Sequence, residues 1–315
     1  MIMPALEESF LAISACPACR AFLSAVSSGG LICNNCQRTY PLTDGIWRFL
    51  LPDQTQRNVL FLEVYRRLRQ GDGWERRDDS YYLNLPDVPP GDTQAQIWRL
   101  RRRTVAIMKR TVLDTLDHQS ARWALDLGAG NCWLSHHLAL AGYQVLALDV
   151  NVEGQDGLSG GEVFLRSGGS SFLRAQASTD ILPVRDGQID VAIISAAFHY
   201  VDPQATLKSV YNALKPGGCL VIMDSPVYSK RDSGLLMMQE QLSRLKTQYG
   251  IDQIPVAGEG FLVLDDILAM LTSCGFRAEV HWPDNPIRYR LRTILKPTPR
   301  ENARFPVLVA TRLPT

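Results

Sequence analysis

Residues 124–135, Ala-Leu-Asp-Leu-Gly-Ala-Gly-Asn-Cys-Trp-Leu-Ser, restrict what this 315-residue chain can fold into more than any other stretch. An apolar run closing on Asp126 and Leu127 meets Gly128 and Gly130, and residues 133–141 then form an amphipathic run. In order, that is a buried strand, a tight glycine turn and a helix start. Neither glycine carries a Cβ, so a ligand can approach the backbone there and meet the first N–H groups of the helix. Such a unit opens an α/β fold whose sheet is mostly parallel.

Charge and spacing narrow the ligand. A dinucleotide turn of the G-x-G-x-x-G type needs its third glycine at position 133, where helix and strand pack closely, and this chain has Trp133. Asp126 would repel a pyrophosphate and attract a cationic amino-acid group. Twenty-three residues later a second strand, residues 144–148, ends in Asp149, whose carboxylate can accept from both hydroxyls of an adenosine ribose. Together these features favour S-adenosylmethionine over NAD.

Four blocks then fall in sequence: Asp126-Leu-Gly-Ala-Gly, Ala147-Leu-Asp149, Ile181-Leu-Pro-Val-Arg-Asp-Gly-Gln-Ile-Asp-Val-Ala, and Leu214-Lys-Pro-Gly-Gly-Cys-Leu-Val-Ile. In this combination, residues 120–225 resemble the class I S-adenosylmethionine-dependent methyltransferase family. The resemblance implies a doubly wound α/β fold with a seven-stranded, mostly parallel sheet and an antiparallel edge hairpin from residues 276–282 and 305–312. It also implies cofactor contacts from Asp126, Gly128, Gly130, Asp149 and Ser195, with Ser178 or Asp180 at the adenine amino group. Cys132 stands where many members have a further glycine, and a small thiol fits there.

Cys16, Cys19, Cys33 and Cys36 are two C-x2-C pairs separated by thirteen residues. Two such knuckle turns can bring four thiolates around one tetrahedral zinc, and four protein ligands leave no open position, so this metal is expected to be structural. The segment from Cys33, Cys-Asn-Asn-Cys-Gln-Arg-Thr-Tyr-Pro-Leu-Thr-Asp-Gly-Ile-Trp-Arg-Phe-Leu, is similar to the zinc-ribbon family that activates tRNA methyltransferases as a small partner protein. The expected organisation is a ribbon over residues 14–51, a helical lid or linker over 52–118, and a methyltransferase domain over 119–315.

In the linker, Val59, Leu62, Tyr65 and Leu68 recur at helical spacing, as do Ile97, Leu100, Thr104, Met108, Val112 and Leu116. Tyr81 and Tyr82 lie between the two helices. In class I methyltransferases such a segment often covers the cofactor, which makes both tyrosines substrate candidates; the other reading is aromatic packing under a helix. The run Arg99, Arg101, Arg102, Arg103, Lys109 and Arg110 is either an RNA-binding face or a solvated one. Residues 288–300 form a second basic excursion.

The fourth strand, residues 189–195, is apolar almost throughout and ends in Ser-Ala-Ala-Phe-His-Tyr, facing the crevice where open α/β sheets bind ligands. His199 is the best-placed general base, with Tyr200 beside it as a substrate contact, although a histidine here can equally line the cofactor or cap a helix. The composition is 46% apolar and 21% charged, ordinary for a soluble globular protein of about two domains. No apolar run is long enough for a bilayer, and residues 1–13 lack a signal peptide's basic start, so a cytoplasmic location is expected with no membrane partner. No feature indicates DNA. The expected function is methyl transfer to an oxygen or nitrogen of a small molecule; the alternatives are an RNA-modifying methyltransferase and a non-catalytic, cofactor-binding scaffold.

Overall fold

A computed structural model describes residues 5–27, 29–74, 78–115, 122–284 and 299–314. Helix α1 (Ala5–Ile13) leads into a small antiparallel sheet of β1 (Leu23–Ala25), β2 (Leu31–Cys33) and β3 (Thr39–Tyr40), then a hairpin of β4 (Leu42–Thr43) and β5 (Ile46–Arg48). Helices α2 (Pro52–Gly71), α3 (Asp79–Leu83) and α4 (Ala95–Thr111) follow. The remainder alternates strand and helix: β6 (Trp123–Leu127), α5 (Trp133–Leu140), β7 (Gln144–Asp149), α6 (Glu162–Arg166), β8 (Leu173–Gln176), β9 (Ile189–Ser195), α7 (Pro203–Ala213) and β10 (Leu214–Met223). The chain closes with β11 (Val227–Tyr228), α8 (Arg231–Tyr249), β12 (Leu262–Val263), α9 (Leu264–Ser273), β13 (Phe276–His281) and β14 (Val307–Arg312).

The main sheet runs β13-β14-β10-β9-β6-β7-β8-β5-β4, parallel from β10 to β5 and antiparallel at both ends. It therefore has nine strands where seven are expected from the family resemblance. The added two come from the N-terminal module, where Ile46, Trp47 and Arg48 pair in parallel with Arg174, Ala175 and Gln176 of β8. Without them β8 would expose the unpaired backbone edge of a largely buried strand. The hairpin turns at Asp44 and Gly45, both at positive φ (53° and 68°), the geometry that Asp-Gly turns adopt between twisted strands.

Strand order reverses between β6 and β9, which opens a crevice at their carboxyl ends. Their opposite ends are locked by Asp190, which accepts from the Trp123 backbone N–H (2.9 Å) and from Lys215 Nζ (2.8 and 2.9 Å). One face of the sheet packs against α1, α7 and α9 through Phe10, Leu207, Val210, Ile267 and Leu271; the other packs against α4, α5 and α6 through Trp98, Met108, Trp133, Leu138 and Phe164. Asp202 caps α7 by accepting from the Ala205 N–H at 3.0 Å, with Pro203 at the first turn.

The N-terminal module is clamped to the third sequence block. Arg20 donates from Nη1 to Leu182 O and from Nη2 to Val184 O, both at 2.6 Å, and the Ala15 N–H donates to Pro183 O at 3.1 Å. Behind β5, the rings of Phe10, Trp47, Phe49 and Trp123 share one cluster, with Phe10 6.2–6.4 Å from each of the other three. No helix among the described residues is long and apolar enough to cross a membrane. Most of the basic excursion at 288–300, and the end of the second linker helix at Leu116, lie outside the described residues.

Candidate cofactor and metal sites

The glycine turn folds over the end of β7. The N–H groups of Gly128 and Ala129 both donate to Leu148 O (2.8 and 3.0 Å), while Gly130 donates to Asp149 Oδ2 and Asn151 to Asp149 Oδ1, each at 2.8 Å. Gly128 sits at φ +71°, and a Cβ there would lie 2.4 Å from the Ala197 Cβ, so glycine is required on two counts. Two backbone donors orient the Asp149 carboxylate, while burial raises its pKa to about 6.

Around this turn the structure brings together Gly128, Gly130, Asp149, Ser178, Asp180 and Tyr200 in the lining of one cavity. Its opposite wall is α2, which contributes Arg57, Asn58, Phe61 and Tyr65, with Pro255 and Ala257 from the segment before β12. Asp180 is held there by Gln54 Nε2 at 3.1 Å and lies 3.4 Å from Arg57 Nη2. The face of α2 differs from that expected. Val59 is 59% exposed, and the helix packs on α8 through Val64 and Leu68 against Leu245 and Tyr249, leaving Phe61 and Tyr65 for the cavity. Phe61, missed in the sequence, lies four residues before Tyr65, with ring centroids 5.6 Å apart.

Other expected site residues lie elsewhere. Asp126 is 2% exposed and accepts from Ser135 Oγ at 2.6 Å beneath the turn, where burial raises its pKa to about 7. The Ser195 hydroxyl donates to Asp224 Oδ2 at 2.7 Å. His199 lines a neighbouring cavity with Phe198, Arg231 and Glu259, its Nδ1 lies 3.0 Å from Ser225 Oγ, and burial lowers its pKa to about 3. An imidazole that holds a proton so weakly is a poor general base at neutral pH. Tyr81 and Tyr82 stand edge to face at 5.7 Å on the side of Trp74 and Trp98, also outside the cavity of Asp149. Trp133, at the position of the missing third glycine, is buried edge to face against Trp98 at 5.2 Å, which docks α5 on α4.

In the N-terminal module the sulfurs of Cys16, Cys19, Cys33 and Cys36 all lie within 4.8 Å of one another. The Cys36 N–H donates to Cys33 Sγ at 3.4 Å, and the buried Tyr40 hydroxyl lies 2.9 Å from Cys16 Sγ. Four thiols in a closed cluster with further polar contacts to the sulfurs fit a four-coordinate structural zinc.

A doubly wound sheet, a glycine turn over a half-buried aspartate at the end of β7, and a cavity at the strand-order reversal define a class I S-adenosylmethionine-dependent methyltransferase domain, here joined to a four-cysteine module. Residues 125–222 match the family profile described as a methyltransferase domain, and residues 8–45 match the one described as Trm112p-like protein.

An uncharacterized methyltransferase of Mycobacterium tuberculosis is 30% identical over 128 residues, covering 41% of this chain and 48% of that protein. The ubiquinone/menaquinone biosynthesis C-methyltransferase UbiE of Vibrio parahaemolyticus is 31% identical over 167 residues, 51% of this chain and 59% of that one. The chain thus spans about half the length of the curated relatives it matches. Among solved structures, the YcgJ protein of Bacillus subtilis superposes with a TM-score of 0.48 at 16% identity, covering 68% of this chain and 100% of that one.

Proposed function

We propose that this protein transfers a methyl group from S-adenosylmethionine to an oxygen or nitrogen of a small-molecule acceptor, with a structural zinc in its four-cysteine module. The observation that carries the reading is Asp149: a half-buried carboxylate, oriented by two backbone N–H groups in the wall of a cavity at the glycine turn, is suited to accept from a nucleoside's ribose. Ser178 and Asp180 face the adenine end of the same cavity, and Phe61, Tyr65 and Tyr200 form an aromatic wall that keeps water out. When bound, S-adenosylmethionine supplies an electrophilic methyl group on a good leaving group. The chain's own task is then to hold and orient the acceptor, with little acid–base chemistry.

A small acceptor is favoured because the cavity is walled along its length by α2 and the segment before β12. Within the basic run on α4, Arg101 is turned inward over Trp98, Arg102 pairs with Asp87, and Arg103 lies 3.4 Å from Asp284, so half of its six charges are already engaged within the chain.

Calorimetric titration with S-adenosylmethionine, S-adenosylhomocysteine and NAD, alongside zinc content by mass, tests the reading. Binding of the two sulfur compounds but not NAD, with one zinc per chain, is expected, followed by labelled methyl groups entering the small-molecule fraction of an extract. Binding of NAD alone overturns the assignment. Label confined to RNA replaces the acceptor class, and bound cofactor without any labelled product favours the scaffold.

A further inference from the structure

The two outer strands of the main sheet are built differently. β4 ends it with two residues, Leu42 and Thr43, too short a run to present many backbone groups to another chain. β13 ends it with six, Phe276–His281, paired with β14 in unbroken register and free of proline and glycine. A short strand, a bulge or a proline blunts most sheet edges, and β13 has none of these. Among the described residues no strand lies on its outer side.

Which backbone groups face outward follows from the ladder. The Leu313 N–H donates to Gly275 O at 3.2 Å, so Gly275 faces β14, and alternation along the strand turns Arg277, Glu279 and His281 the same way. The N–H and C=O groups of Phe276, Ala278 and Val280 are therefore directed to the open side. Side chains alternate too, between the faces of the sheet. Phe276, Ala278 and Val280 join the core that Ile267 and Leu271 of α9 help to build. Arg277 and Glu279 are exposed on the other face, where both act on the Cys219 thiol two strands away. Glu279 is not committed within its own strand: its side chain is 61% exposed, and His281 Nε2 lies 3.7 Å from it, beyond hydrogen-bonding distance.

This pattern is complementary to itself. A second copy of the strand, antiparallel about a two-fold axis at Ala278, sets Ala278 opposite its own copy and Phe276 opposite the other copy's Val280, so all three outward positions form hydrogen-bonded pairs. The same register sets Arg277 opposite Glu279 twice, in the non-hydrogen-bonded pairs where cross-strand side chains come closest. Sliding the copy by two residues one way puts Arg277 opposite Arg277, and the other way Glu279 opposite Glu279. The charges thus select a single register. We propose that β13 joins two copies of this chain, continuing the nine-stranded sheet across a two-fold axis at Ala278. No residue of β13 lines the cavity of Asp149, so each copy keeps a cofactor cavity of its own.

The test is sedimentation velocity on the full chain, from low to high micromolar protein, with melting curves at the lowest concentration to confirm that each variant folds. The wild type is expected to dimerise, and its melting temperature to rise with protein concentration. Arg277→Glu and Glu279→Arg each turn two attractive pairs into two repulsive ones, and each should weaken the dimer by about tenfold or more. An equal mixture of these two single variants restores opposite charges across the axis and should give the mixed dimer. The double variant carrying both changes should dimerise within about threefold of the wild type. Added salt should weaken the wild-type dimer and strengthen self-association of either single variant, because screening acts on attraction in one and repulsion in the other. A wild type that stays monomeric throughout overturns the proposal and leaves the edge to a strand from another protein. Folded single variants that dimerise as tightly as the wild type also overturn it, since the axis then lies elsewhere.

Discussion

The nine-stranded sheet is closed at both ends by an antiparallel hairpin, and the two hairpins are held by different means. At the C-terminal edge, β13 and β14 pair over six positions, from Phe276 opposite Arg312 to His281 opposite Val307, and Leu308 and Ala310 of β14 face the core. At the other edge, β5 gives β8 only three partners, and β4 adds two more to β5. So few backbone bonds cannot keep an edge in register by themselves. That edge is held from behind, by the Phe10, Trp47, Phe49 and Trp123 rings, by Arg20 on Leu182 and Val184, and by the four-cysteine cluster at the far side of the module. The difference matters for the site because β8 runs directly into Ala177, Ser178 and Asp180 of the cavity wall, whereas no residue of β13 or β14 lines that cavity. The module is therefore expected to support cofactor binding, and the C-terminal hairpin to support stability alone.

Removing the metal should break this contrast most completely. Four thiolates give zinc about 10–16 kcal/mol in small peptides, so chelation, or Cys33→Ser, should unfold the module, release β5 from β8 and weaken S-adenosylhomocysteine. Calorimetry on metal-stripped protein checks this, and unchanged affinity would uncouple module from site. Next in size, Trp47→Ala and Leu308→Ala empty buried positions on opposite edges, each costing about 2–5 kcal/mol by urea denaturation. Only the first is expected to lower cofactor affinity; equal losses in both would erase the distinction between the edges.

Asp149→Ala sharpens the comparison at the floor of the site. Loss of a charged acceptor should weaken S-adenosylhomocysteine by about 1.5–3 kcal/mol and also lower the melting temperature, because the Gly130 and Asn151 N–H groups lose their acceptor. Because the ionised carboxylate is the acceptor and its pKa lies near 6, wild-type affinity should fall as pH drops from 7.5 to 5. Affinity that stays constant over that range would remove Asp149 from the ribose. The smallest effect belongs to Asp126, whose pKa is raised from 3.8 to about 7 by burial. Between those values the folded protein keeps a proton that the unfolded chain has released, so stability should decline as pH rises through this window and level off above it. Asp126→Asn still accepts from Ser135 and should flatten that decline, by on the order of 1 kcal/mol in urea midpoints measured at pH 5 and 7.5.

Where local pattern decides structure, the sequence was readable. The strand ending at Asp149, the buried strand Ile189–Ser195, the capped start of α7 and the order of the four family blocks all follow from apolar runs, glycines and caps within a few residues of each other. The cysteine cluster was readable for the same reason, since knuckle spacing is itself local. What escaped depends on partners far along the chain. Nothing near Ile46 announces that it will pair with Arg174, although Asp44-Gly45 between short apolar runs was a hairpin signal in plain view.

Residues at the carboxyl end of β9 could be placed near the crevice from sequence, but not aimed. Tyr200 enters the cavity while His199, one residue earlier, turns toward Ser225. The face of α2 was misjudged because two apolar stripes compete on it, one for α8 and one for the cavity, and period alone does not rank them.

The pairing of β5 with β8 also sets a timetable for biosynthesis. Trp47 meets Ala175, a residue made 128 positions later. At about 5–20 residues per second, the hairpin waits roughly 6–25 s on the ribosome before its strand exists. During that interval the cysteine cluster, complete by residue 36, can already take up metal, whereas the outer backbone groups of β5 have nothing to bond and offer an open edge to any neighbouring nascent chain. If the cluster holds the proposed zinc, its loading precedes completion of the cavity, and a shortage of metal during synthesis would be felt as aggregation of unfinished chains before it was felt as lost cofactor binding.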